Sequence, residues 1–248
     1  MGRCVVGAYW GPRRESARVC AARLGRCLTL LSEAVPGLGP WYHKAETRAA
    51  ANRTVDLGAN ALIDWLLSGR HYRDIPRTVI EELGFSATAW SPAAPGVDWS
   101  ASLGVYTTAA VLNCFLLQIP LPENSSLPWY DPAIARSVVK ALVEAWAPDQ
   151  IRWAPSSWAL EQGGQLREPV VGWWTYIRGY APEDVPGVEA EPLDHGVLIR
   201  AAPTFDQTDL ALVTAMRRHL VDVGVIHQIL PEFEWRMPGV VPRPDDQG

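Results

Sequence analysis

Five histidines, four cysteines and 27 acidic residues are the side chains from which a reactive centre in this chain would have to be built. A metal site needs His, Cys or carboxylates a few residues apart, so that one helix face or turn presents them together. His43, His71, His195, His219 and His227 never fall into such a pattern, and the last two are eight residues apart. Cys4, Cys20, Cys27 and Cys114 contain no Cys-x-x-Cys pair. On one helix Cys20 and Cys27 would lie about 10 Å apart, too far for a disulfide. The four thiols therefore read as small apolar residues in a reducing compartment. No Gly-x-Ser-x-Gly is present, and Gly163-Gly164 lacks the lysine and the strand-turn-helix setting of a phosphate loop. The acidic pairs Glu81-Glu82 and Glu183-Asp184 are the ordinary content of a solvated helix or loop. No catalytic residue, metal ligand or cofactor is assigned, and a binding protein is expected ahead of an enzyme.

Two features point to binding. Twelve tryptophans stand largely in short strings, among them Trp41-Tyr42 and Trp173-Trp174-Thr175-Tyr176. Such side chains anchor protein interfaces as readily as they fill cores. The second is the segment from Pro182 to Gly196, with Glu183, Asp184, Glu189, Glu191 and Asp194 and no Lys or Arg. Its three prolines and two glycines predict a loop that would dock on a basic partner surface.

The bulk numbers narrow the class. A length of 248 residues suffices for one sizeable core. Net charge is -5, which gives no basic footprint for direct nucleic-acid binding. Only Lys44 and Lys140 are lysines, so nearly all the positive charge is arginine. No apolar run is long enough to span a membrane, no signal peptide is evident, and a cytoplasmic protein is expected.

The elements that must position these residues follow from periodicity. A strand is expected over 3–10, a helix over 15–34 with a stripe of Cys20, Leu24, Cys27, Leu28 and Leu31, and a second helix over 57–67. A third short helix is expected from Pro76 to Gly84. Strands follow at 85–90, 97–106 and 111–119, the last apolar on both faces as a central strand would be. Asp131-Pro132 caps a helix ending before Pro148. Strands over 151–158 and 170–178, joined by a Gly-Gly hairpin-like loop, precede another at 196–201 and a helix over 206–223. Strands in series predict an α+β fold, a mixed and largely antiparallel sheet with helices packed on it. A helix followed by three strands occurs twice in outline, but no residue string repeats. One domain over 3–235 is preferred to two similar α-βββ halves, with a loose tail over 236–248.

Read in order, Trp41-Tyr42-x-Lys44, Asp74 within RHYRD, ELGFSATAW (Glu82 to Trp90) and GWWTYI (Gly172 to Ile177) resemble the bacterial immunity protein 52 family, over about Val5 to Val223. The resemblance implies a cytoplasmic, non-enzymatic protein encoded beside a polymorphic toxin of type VI or related secretion systems. It would bind that cognate toxin, a nuclease with a restriction-endonuclease-like (Tox-REase-5 type) domain, and block its active site or assembly. The matching residues are Trp41, Tyr42, Asp74, Gly84, Phe85, Trp90, Gly172, Trp173 and Tyr176, and a role in the fold suits them better than contact. The expected partner-binding element is the acidic segment, Glu183, Asp184, Glu189, Glu191 and Asp194. The rivals are an enzyme with a pocket around Trp173 and Tyr176, and an adaptor or chaperone that loads an effector without neutralising it.

Overall fold

A computed structural model describes residues 2–44, 53–92, 96–107, 112–163 and 170–226. The Gly-Gly loop beyond Gly163 and the expected tail over 236–248 lie outside these residues. The described strands form one nine-stranded sheet: β1 (Arg3–Trp10), β2 (Tyr42–His43), β3 (Phe85–Ser91), β4 (Val97–Leu103), β5 (Asn113–Pro120), β6 (Gln150–Pro155), β7 (Trp174–Arg178), β8 (Glu189–Leu193) and β9 (Gly196–Arg200). Their spatial order is β2-β3-β4-β5-β1-β6-β7-β9-β8. Every pairing among them is antiparallel, so the fold is α+β and the expected parallel component is absent among the described residues.

Helix α1 (Ala17–Ala34) starts at Ser16, whose side chain accepts from the Val19 amide. It packs between α2 (Ala59–Ser68) and α3 (Pro132–Trp146). Asp131 caps α3 by accepting from the amides of Ala133 (2.9 Å) and Ile134 (3.1 Å). These three helices cover one face of the sheet. Beneath them Trp10 stacks on Trp146 at 5.3 Å, Trp146 on Phe115 at 5.9 Å and Phe115 on Trp99 at 5.3 Å. This is a continuous aromatic column through a core of fully buried side chains.

Two further helices, α4 (Trp158–Gly163) and α5 (Leu210–Asp222), lie at the other face. Val213, Met216 and Leu220 of α5 form a second apolar cluster with Ile177 of β7 and Val197 and Ile199 of β9. The sheet is therefore covered on both faces at its β7–β9 end.

Several expectations need correction. The stretch from Pro76 to Gly84 is not a helix. Ile80 donates to the His71 carbonyl and Arg73 to that of Thr78, which folds 70–80 back on itself, and only Glu81–Leu83 make a 3-10 turn. Thr78, Val79 and Ile80 are β-branched and suit that extended return. The strand expected to reach Trp158 ends at Pro155, and Trp158 instead opens α4. The final helix begins at Leu210 rather than Asp206, because Asp209 is the cap and accepts from Leu212 at 2.7 Å. The acidic segment is not simply a loop, since Glu189–Leu193 is the edge strand β8. The second half accordingly carries four strands after its helix, not three.

All four cysteines are free thiols. Burial pushes the Cys4 and Cys27 thiols up to about 12, and Cys20 higher still, while Cys114 is raised and half-buried. An alkylating reagent at neutral pH should therefore modify Cys114 slowly and the other three only on unfolding. Mass spectrometry of the native protein checks this, and modified Cys20 or Cys27 would contradict it.

Candidate partner-binding surface

Period-two alternation gives every strand one residue for the helices and the next for the opposite face. Among the described residues no helix packs on that opposite face at the β3-β4-β5-β1 part of the sheet, while at β6, its border, α4 approaches and Ala154 is buried. The outward residues there are half-buried rather than sealed: Thr88 of β3, Ser100 of β4, Leu116 of β5, Val5 of β1 and Arg152 of β6. The expectation that β5 is apolar for burial on both faces needs correction, because Cys114 and Leu116 point to this open side.

Tyr9 and Arg152 sit where β1 meets β6, at the border between the open face and the covered β7–β9 end. Gly7 allows the Tyr9 ring to lie flat across β1, since a Cβ there would stand 2.5 Å from the Tyr9 hydroxyl. The Arg152 guanidinium stacks over the same ring at 5.1 Å. Burial raises the Tyr9 phenol above its ordinary value, with the Arg152 charge opposing, so the ring is neutral at physiological pH. Towards β2, Asp98 is held by Arg3 (2.7 Å) and Lys44 (3.0 Å), and Arg3 also donates to Gln118 (3.0 Å). Trp90 and Tyr42 form a tilted pair beside this network at 5.6 Å. A half-exposed Tyr–Arg stack flanked by Leu116 and Val5, with a polar rim, has the composition of the energetic centre of a protein interface.

The residues expected from sequence are dispersed. Trp41, Phe85, Trp173 and Tyr176 are buried on the helix side, Trp41 edge-on to Trp99 at 6.3 Å. Gly84 and Gly172 sit where backbone comes too close for a Cβ: the Leu103 carbonyl meets Gly84 and the Trp153 carbonyl meets Gly172. Asp74 is exposed in the 70–80 excursion, while Tyr42 and Trp90 reach the open face. The pocket that the rival enzyme reading places around Trp173 and Tyr176 is not open among the described residues. Both are fully buried, and Trp173 packs against Trp153, Trp174 and Phe205 with its indole donating to the Ala202 carbonyl.

The five acids are also less free than their sequence suggests. Glu189 pairs with Arg200, and Glu191 with Arg136 at 2.5 Å. Asp184 accepts from the Ala181 amide and closes its own turn. Asp194 makes the β8–β9 turn at φ 50, with His195 at 3.8 Å. Glu183 is exposed. Glu189 and Glu191 share the helix side of the sheet with Arg200 and Leu198, so the acids do not form one outward patch.

Sequence reasoning missed Tyr9, Arg152, Leu116 and Arg3. The available signal was apolar and aromatic residues at both parities of β1 and β5, which marks either double burial or an uncovered sticky face. Among the described residues no three His, Cys, Asp or Glu side chains converge to hold a metal ion, and no helix is long and apolar enough to cross a membrane.

Comparison with known proteins places the chain in context. The sequence model of immunity protein 52 matches residues 4–229. No curated protein sequence matches the chain significantly. Among solved structures, a Pseudomonas aeruginosa T6SS protein, PA0821, superposes with a TM-score of 0.49 at 12% identity, over 90% of this chain and 78% of that one.

Proposed function

Given that the chain belongs to the immunity protein 52 family, we propose that it neutralises a cognate nuclease toxin in the cytoplasm by holding it in a tight one-to-one complex. The observation that carries this reading is the open sheet face, a preformed surface on which Tyr9, Arg152 and Leu116 are half-buried. A preformed sheet presents these groups without ordering a loop, and that lowers the entropic cost of association. The nuclease target and the restriction-endonuclease-like domain come from the sequence resemblance. Inhibition is stoichiometric in this reading, because nothing in the surface acts on a bond.

Co-expression with the neighbouring toxin gene is the test. Growth should be rescued, and purified toxin activity should fall linearly to nothing at about one equivalent of the chain. Binding without rescue would favour an effector-loading adaptor. Inactivation by a small fraction of an equivalent would favour an enzyme.

A second reading keeps Glu183, Asp184, Glu189, Glu191 and Asp194 as the partner-binding element, set against the phosphate-holding groove of the nuclease. The observation in its favour is that, among the described residues, five carboxylates meet two arginines, Arg136 and Arg200, in close ion pairs there. Reversing Glu189 or Glu191 would also break those pairs, so Glu183→Lys is the cleaner probe.

A further inference from the structure

The open face has a definite electrical sign, which runs against that of the whole chain. The charged side chains that its described contacts place there are Arg3, Lys44 and Arg152 against Asp98, in a protein of net charge -5. Asp98 is engaged twice, by Arg3 and Lys44, so its charge is already spent within the face. Arg152 lies on an aromatic ring and has no carboxylate partner among the described ion pairs. An interface built on these groups gains from carboxylates opposite Arg152 and loses from further cations.

Resting on the immunity reading, we propose that the open face takes an acidic protein surface with an apolar centre on the toxin, away from the basic groove that holds nucleic acid. Tyr9 and Leu116 supply the apolar contact, and Arg152 meets a carboxylate across the interface. The chain then inhibits by gripping an exosite, without imitating a nucleic acid. A second copy of this chain is a poor occupant, because a two-fold contact would set Arg152 and Arg3 against a like-charged face. Nucleic acid is a poor occupant too. Leu116, Val5 and Tyr9 offer nothing to phosphates, and one of the four charged groups is a carboxylate.

The test uses the full chain and the nuclease-inactivated product of the adjacent toxin gene, with affinities measured in solution. Binding by the unaltered chain tests the immunity reading itself, and its failure would end that reading before any variant is compared. Given binding, Arg152→Glu should weaken it by about 100-fold or more. Ser100→Arg, a wedge that adds positive charge, should weaken it by about tenfold or more through steric block. Glu183→Lys should change it less than threefold, and a DNA duplex should not displace the toxin. Thermal melting shows that each variant is folded. Wild-type affinity in Arg152→Glu and Ser100→Arg would overturn the proposal, as would a large loss confined to Glu183→Lys or competition by the duplex.

Discussion

Replacing Trp146 with alanine is expected to lower the unfolding free energy by about 3–5 kcal/mol, which is a large part of what a domain of this size possesses. Trp146 is fully buried at the end of α3 and stacks on both Trp10 and Phe115. Truncation opens a void bounded by β1, β5 and α3, three elements held in place by backbone ladders and caps, so collapse onto the gap is limited. It also cuts the aromatic column in two, leaving Trp10 without its stacking partner. Denaturant titration followed by far-ultraviolet circular dichroism reads the loss directly. A midpoint shift worth less than about 1 kcal/mol would mean that the column contributes area but no special packing.

Gly84→Ala is expected to cost about 3 kcal/mol or more through a different mechanism. Gly84 follows the 3-10 turn at Glu81–Leu83 with φ 61 and ψ -129, a conformation that L side chains rarely adopt. A Cβ there would overlap the backbone of Leu103 and Gly104, and Leu103 is fixed by its pairing with Phe85. Neither the turn nor the strand can yield without breaking the Phe85–Leu103 register. The same substitution at exposed Gly179, where nothing lies within 4 Å of a Cβ, isolates the backbone strain alone. Gly179→Ala should cost about 1–2 kcal/mol, and equal losses at the two sites would remove close approach from the explanation.

These two positions show what the sequence carries plainly. Gly84 ahead of a strand, and the apolar stripe ending at Trp146, follow from local rules, as do the Asp131 cap and the alternation of β4. The helix expected from residue 15 begins instead at Ala17, with Ser16 as its cap. Asp98, Ser100 and Ser102 were readable as the face opposite the core. Whether that face is covered depends on where α4 and α5 dock, and docking is set by tertiary contacts of Ile177, Val197 and Ile199 with α5. Periodicity in one strand cannot report that. The edge strand β8 was hidden for a similar reason. Pro192 and two glutamates depress its strand propensity, and pairing with β9 overrides it. Helix α4, six residues long, is too short to show a period.

The half-open sheet has a consequence for how such a protein can change. Along β1, Cys4, Val6 and Ala8 answer to the core, while Arg3, Val5 and Tyr9 answer to whatever meets the other face and Gly7 makes room for the Tyr9 ring. Two sets of instructions are thus interleaved on one strand, residue by residue, with little crosstalk between them. A lineage pursued by a changing toxin can rewrite most of the alternate positions of four adjacent strands and keep its scaffold, because substitutions on one parity leave the other in register. The partner is then addressed by a two-dimensional array of side chains on fixed spacings of about 4.8 Å between strands and about 7 Å along them.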